Sequence, residues 1–265
     1  MNPIEAALLG IVQGLTEFFP VSSSGHLAMV QVLLGGEEKG DLVFEIAVHV
    51  ATLVAIVYFY RNRIRDLVLG FLRREAFALD YAGKLVVASV PAGFVGVLGQ
   101  DWITAQFSNP VLIGGAVLVT GCIVYSTRFT VARAVATTPG WRDALLIGCA
   151  QAVAILPGIS RSGSTVAMAI AVGLAPAAAA EFSFLMGIIA VGGAAILMLP
   201  EIAYSDSAAL ASIGIGALTA LVSGLAAITL FVRMLDRRLF HAWAWYCWAV
   251  GAAFLAWVFT TGAGS

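Results

Sequence analysis

The 265-residue chain is 61% hydrophobic and 11% charged, with a formal net charge of −1. Soluble domains carry about 45–50% apolar and about 25% charged residues, so these proportions exclude a water-soluble globular protein and leave an integral membrane one. A charge so near zero also excludes nucleic acid as a partner, and Cys122, Cys149 and Cys247, which lack paired spacing, exclude a disulfide or cysteine-metal scaffold.

In chain order, Met1-Asn-Pro-Ile-Glu5 has no basic stretch, so no signal peptide is expected. Segments 4–19 and 22–35 are apolar but short, and Pro20 with Ser22, Ser23 and Ser24 divides them. Crossing a bilayer takes about 20 apolar residues, so this pair predicts two half-helices of a re-entrant hairpin. Full spans are predicted at 42–60, 84–99 and 110–127, with 61–83 a loop that carries an amphipathic surface segment. Segments 143–156 and 163–174 repeat the broken arrangement around Pro157-Gly158, and spans at 178–199, 210–232 and 242–261 complete the chain. Gly114-Gly115, Gly192-Gly193, Gly214 and Gly216 predict close helix packing. His241, beside Arg237 and Arg238 and followed by Trp243 and Trp245, reads as an interfacial belt.

The two broken segments are near-copies. Gln13-Gly-Leu-Thr-Glu17-Phe-Phe-Pro20-Val-Ser22-Ser23-Ser24-Gly25-His26 aligns with Gln151-Ala-Val-Ala-Ile-Leu-Pro157-Gly-Ile-Ser160-Arg161-Ser162-Gly163-Ser164, so that Ser24-Gly25 falls on Ser162-Gly163. Irregular backbone at membrane depth is tolerated only where protein buries it or a cavity wets it, and paired broken helices mark sites at repeat interfaces. Basic residues cluster at Arg61, Arg63, Arg65, Arg73, Arg74 and Lys84, at Arg128, Arg133 and Arg142, and at Arg233, Arg237 and Arg238. The positive-inside rule makes those loops cytoplasmic. Glu37, Glu38, Lys39 and Asp41, then Asp101, then Glu201 and Asp206 fall outside. Three spans separate the copies, so the repeats are inverted. The expected fold is an all-α polytopic membrane protein: one integral domain of two inverted repeats, 1–127 and 128–265, with six full transmembrane helices and two re-entrant helical hairpins (4–35 and 143–174). Both termini and the opening of the site are expected on the outer side.

Arg161 is the one basic residue placed within the apolar part of the chain, and a buried guanidinium demands an anionic partner. That partner is either Glu17 or Glu181 in a structural ion pair, or an anionic ligand. Ser160, Ser162, Ser164 and Thr165 beside Arg161, and the free N–H groups of a helix starting at 163, describe an oxyanion site suited to phosphate. In the first tip Gln13 and Glu17 share a helix face. A carboxylate, an imidazole (His26) and hydroxyls (Ser22, Ser23, Ser24) can act as base, acid and nucleophile. Glu45 and His49, four apart on one face, form either a metal pair or a buried hydrogen bond, and are assigned with Glu181 to the surroundings of the site.

Both motifs, with Phe44-Glu45, His49 and Glu181-Phe182-Ser183-Phe184-Leu185, resemble the signatures of the undecaprenyl-diphosphate phosphatases, the bacitracin-resistance family. The likeness extends over essentially the whole chain. It departs at Ala51, where many relatives carry glycine, which leaves every motif side chain in place. The resemblance implies hydrolysis of a C55 isoprenyl diphosphate to monophosphate and inorganic phosphate, regenerating the carrier lipid for cell-wall synthesis in the bacterial plasma membrane. It also implies a divalent-metal requirement, for Mg²⁺ or Ca²⁺. Position by position, Gln13 and Glu17 fill the Glu/Gln-x-x-x-Glu motif, and Ser23 and His26 the hydroxyl and imidazole positions. Arg161 with Ser160, Ser162 and Thr165 fills the phosphate-binding segment, to which Ser22 is added.

On these grounds Arg161 and the hydroxyls hold the diphosphate. Glu17, with Gln13, binds the metal or acts as base. Ser23 attacks with His26 assisting, His26 attacks, or His26 activates a water. The expected partners are the polyisoprenyl diphosphate, membrane lipid and, as an assembly the sequence leaves open, a second copy in a homodimer. A polyprenyl-phosphate flippase on the same inverted repeats is the alternative; it needs anion binding but no nucleophile.

Overall fold

A computed structural model describes residues 1–33, 42–202 and 210–262. The predicted acidic loops with Glu37, Glu38, Lys39 and Asp41, and with Asp206, lie outside the described residues. Helix α1 (Pro3–Phe18) starts at a capping box: Asn2 accepts from the backbone of Ile4, Glu5 accepts from the N–H of Asn2, and Pro3 fills the first turn. It stops because Pro20 cannot continue a helix and forces Phe19 to be extended. Ser22 then turns the chain with a φ of 73°, and α2 (Ser23–Leu33) follows.

Next come α3 (Leu42–Phe59), α4 (Arg61–Leu72), α5 (Ala76–Leu98), α6 (Gln100–Gln106) and α7 (Pro110–Thr130). The second broken pair is α8 (Trp141–Val153) and α9 (Arg161–Ala171), and the chain closes with α10 (Pro176–Ile202), α11 (Leu210–Asp236) and α12 (Trp243–Thr261). Five described helices (in α5, α7, α10, α11 and α12) are long and apolar enough to cross a membrane, and α3 with α4, bent by 76° at their junction, passes the same test only if the bent pair is counted as one span. By contrast α1, of 16 residues, is about 24 Å long, and α8, of 13, about 20 Å. Each is shorter than the hydrocarbon core of about 30 Å.

Three points differ from the sequence expectation. The stretch 61–83 is largely helical: α4 occupies its first half, and α5 begins at Ala76. Asp80 and Lys84, one turn apart, pair at 2.5 Å, so charges that suggested a loop instead satisfy each other along a helix face. Helix α9 begins at Arg161, not 163, because Ser160 is its N-cap and accepts from the N–H of Gly163 at 3.0 Å. Of the glycines assigned to packing, Gly114 and Gly216 do face neighbours: a Cβ would lie 2.7 Å from Leu255 and 2.2 Å from Phe44. Gly115, Gly193 and Gly214 have no described atom within 4 Å of that position, so close packing among the described residues does not explain them.

The helices pack in an interlaced way. Helix α1, from the first half, lies along α11 in the second; α8, from the second half, lies along α5 in the first. Both contacts depend on a glycine. A Cβ on Gly10 would stand 2.3 Å from the carbonyl oxygen of Gly216, and one on Gly148 2.4 Å from that of Ala88. Beneath them Phe18, Phe184 and Phe231, all fully buried, meet edge to face with centroids 5.7 and 5.3 Å apart. This core supports the end of α1 on which the polar residues sit.

Candidate active site

The two breaks, at 19–22 and 154–160, interlock. A Cβ on Gly25 would lie 3.0 Å from the Cα of Gly158, and one on Gly163 3.2 Å from the Cβ of Pro20, so each tip rests on the other's break. Gly158 itself adopts a φ of 95°, open to glycine but costly for other residues. Thr120, buried on α7, pins the second tip: its hydroxyl donates to the carbonyl of Gly158 at 2.9 Å and accepts from the N–H of Ser160 at 3.0 Å. Ser162 Oγ, 3.3 Å from the carbonyl of Phe19, bonds the tips together.

Glu17, on the last turn of α1, is the centre of the polar cluster between them. Its Oε1 accepts from Arg161 Nη2. Its Oε2 accepts from Ser23 Oγ at 2.7 Å and from Gln13 Nε2 at 3.0 Å, and His49 Nε2 stands 4.0 Å away. The Glu17 and Arg161 side chains are 7% and 16% exposed, so the pair is largely desolvated and its attraction strong. Among the described residues Arg161 Nη1 is buried without a partner, and so is Gln13 Oε1. A buried donor and a buried acceptor, both unsatisfied, flank one carboxylate that already holds a serine hydroxyl.

Of the residues singled out from sequence, the fold therefore unites Gln13, Glu17, Ser23, Arg161 and His49. Others are employed differently. Three hydroxyls of the second tip are bonded to groups other than the guanidinium, while Ser164 Oγ is buried without a partner among the described residues. Ser160 caps α9, Ser162 faces Phe19, and Thr165 bonds the carbonyl of Arg161 and, at 2.5 Å, Ser183. Glu181 is not beside Arg161; it pairs with Arg63 at 2.8 Å and with the Tyr81 hydroxyl at 3.3 Å, because it faces the α4–α5 corner. His49 and Glu45 are hydrogen-bonded to each other as expected, through His49 Nδ1 and the Glu45 backbone carbonyl at 2.8 Å. His26 points away from Glu17, towards Tyr246. Ser22 caps α2, its hydroxyl accepting from Gly25 N–H at 3.2 Å.

Sequence reasoning missed Thr120 and Tyr246. Thr120 is a lone hydroxyl in an apolar span, with no local signal. Tyr246 adjoins Trp243 and Trp245 of the interfacial belt, and nothing in the local sequence sets it apart from them.

Fold and cluster together define a class: a multi-pass helical membrane protein whose broken helices bury a serine–carboxylate–arginine site. The chain belongs to the bacitracin resistance protein BacA family, whose profile matches residues 6–253. It is similar to the undecaprenyl-diphosphatase of Syntrophotalea carbinolica, at 40% identity over 97% of this chain and 99% of the relative. It is also similar to the proteins of that name from Desulfatibacillum aliphaticivorans (34% identity, 96% and 98% coverage) and Methanobrevibacter smithii (37%, 95% and 96%).

Proposed function

We propose that this protein hydrolyses undecaprenyl diphosphate to undecaprenyl phosphate and inorganic phosphate, returning the carrier lipid to cell-wall synthesis. The observation that carries the reading is the Ser23 hydroxyl held 2.7 Å from one oxygen of Glu17 while Arg161 holds the other. Ser23 Oγ attacks the terminal phosphorus as its proton passes to Glu17 Oε2, and the bond to the bridging oxygen breaks. The lipid monophosphate leaves and a phosphoserine remains. Glu17 passes that proton to the departing lipid phosphate and, ionised again, takes a proton from water as the water attacks phosphorus. The bond from phosphorus to Ser23 Oγ breaks, Glu17 returns the proton to Ser23, and inorganic phosphate leaves. Arg161 fixes the carboxylate through Nη2 and offers Nη1, otherwise unsatisfied, to a phosphate oxygen whose charge grows in the transition state.

His26 is a poor candidate for the nucleophile or the base because both ring nitrogens are already bonded elsewhere. A flippase would have no use for a serine poised on a carboxylate, so that alternative is not favoured.

A divalent ion fits this site in a limited way. Among the described residues no group of three or more His, Cys, Asp or Glu could hold one. Glu17 and Gln13 Oε1, which is unpartnered among the described residues, are the oxygens that would hold such an ion, with substrate phosphates and water as further ligands. When bound, Mg²⁺ or Ca²⁺ would offset phosphate charge.

The inverted repeat is part of the same reading, with halves 1–127 and 128–265. It is supported by the exchange of partners: α1 on α11 corresponds to α8 on α5, and α3 on α11 to α10 on α5. Gly10 and Gly148 fall opposite each other when Gln13 is aligned with Gln151, and both make the close approach. With basic loops cytoplasmic, both termini lie outside, the site opens outward, and phosphate is released there. A homodimer is compatible with this topology. The test is phosphate release from undecaprenyl diphosphate by the purified protein, with and without chelator. Release abolished by Arg161→Ala supports the reading; release unaffected by it refutes the phosphate site.

A further inference from the structure

Tip one contains a second hydrogen-bonded chain, separate from the Glu17 cluster. The carbonyl of Ser22 accepts twice from His26, from the backbone N–H at 3.1 Å and from Nδ1 at 2.8 Å. A carbonyl only accepts, so Nδ1 carries the ring proton and Nε2 of the neutral ring is an acceptor. The Tyr246 hydroxyl, 3.0 Å from Nε2, fills that position, and the two rings lie nearly parallel with centroids 5.7 Å apart. Ser22 is the residue under strain: its φ of 73° is disfavoured for any side chain bearing a Cβ. Ser23 follows it directly, so the conformation of Ser22 determines where the Ser23 hydroxyl points.

Tyr246 is itself held firmly. Trp243, one turn earlier on α12, stacks on Phe19 at 4.5 Å and meets Tyr246 edge to face at 5.7 Å. Cys247 Sγ lies 3.5 Å from the carbonyl of Pro20. One face of α12 thus braces the whole of tip one.

We propose that Tyr246 is a positioning residue for hydrolysis. Its O–H fixes the His26 ring, His26 clamps the Ser22 carbonyl, and the clamped turn holds Ser23 against Glu17. The proposal rests on the reading of Ser23 as nucleophile. It gives His26 a mechanical role in place of a chemical one, and it extends the site to α12, which contributes no other residue to it.

The test uses full-length protein in detergent. Tyr246→Phe keeps the ring and its stacking and removes only the hydroxyl. The expected result is a kcat about fivefold to tenfold lower, with KM changed by less than about twofold. In ¹⁵N spectra of histidine-labelled protein the Nε2 resonance of His26 should move towards that of an unbonded acceptor, while Nδ1 stays protonated. His26→Asn, which keeps a donor near the Nδ1 position, should retain more activity than His26→Phe. A normal kcat for Tyr246→Phe overturns the proposal, as does a change in KM alone, or lower thermal stability with kcat intact. Equal inactivity of the Asn and Phe variants overturns the clamp. Ser23→Ala separates the two levels: if it turns over normally, the nucleophile reading falls as well. If it is inactive while Tyr246→Phe is normal, only the positioning role falls.

Discussion

Replacing Glu17 by Gln separates what the central ion pair does for folding from what it does for chemistry. The substitution is nearly isosteric, so packing against Gln13 and Ser23 survives. The Arg161 guanidinium, 16% exposed, loses its counter-ion. Leaving one member of a buried pair uncompensated costs about 3–5 kcal/mol, and partial exposure puts this case near the lower end. Glu17→Gln and Arg161→Met should each lower the unfolding midpoint of the purified protein clearly. The double variant, which buries no net charge, should recover most of the loss, because neutral replacements of buried pairs are often isoenergetic. Activity should not recover with it. Without the carboxylate Ser23 has no base, a loss of about 10²–10⁴ in rate, and without Arg161 the phosphate oxygen has no donor. The assays are thermal unfolding followed by tryptophan fluorescence, and inorganic phosphate release. A double variant no more stable than the single ones would refute the coupling, and Glu17→Gln with more than about a tenth of normal turnover would refute the base.

Thr120→Val, isosteric but without the hydroxyl, should destabilise by about 1–3 kcal/mol, since the Gly158 carbonyl and the Ser160 N–H both lose their partner; an unchanged unfolding midpoint would contradict the pinning of the second tip. Gly148→Ala places a Cβ 2.4 Å from the backbone oxygen of Ala88, which cannot move aside as a side chain can, so the yield of folded protein should fall and Gly10→Ala should do the same against Gly216; normal yields would contradict the tight α8–α5 and α1–α11 packing. Cysteines introduced at Asp101 and Arg238 should react with an impermeant maleimide in intact cells and only after permeabilisation, respectively; the reverse pattern would overturn the orientation.

Much of the fold was legible because a membrane leaves few choices. Apolar length gave the spans, and Pro20 and Pro157-Gly158 marked both breaks, since proline stops a helix whatever surrounds it. The charged stretch 61–83 misled because Asp80 and Lys84 neutralise each other one turn apart, a pairing that a tally of charges does not register. In the site, Glu17, Ser23 and Arg161 were legible as chemistry too expensive to bury without purpose. Their division was not. Whether Arg161 pairs with Glu17 or Glu181 depends on how α10 is rotated, which periodicity does not specify in a helix apolar on all sides. The hydroxyls of Ser160, Ser162 and Thr165 are also engaged with backbone, the usual fate of serine and threonine at helix starts, and the sequence pattern does not distinguish that use from phosphate binding. Tyr246 is 220 residues from His26, so their contact has no local trace.

The most direct measurement is rapid-quench mass spectrometry of the peptide containing Ser23 during turnover of undecaprenyl diphosphate. The account predicts a phosphate adduct on Ser23 that forms within one turnover, decays as inorganic phosphate appears, and is absent in Ser23→Ala, which should be inactive. Steady phosphate release with no adduct on Ser23, together with normal turnover by Ser23→Ala, would contradict it.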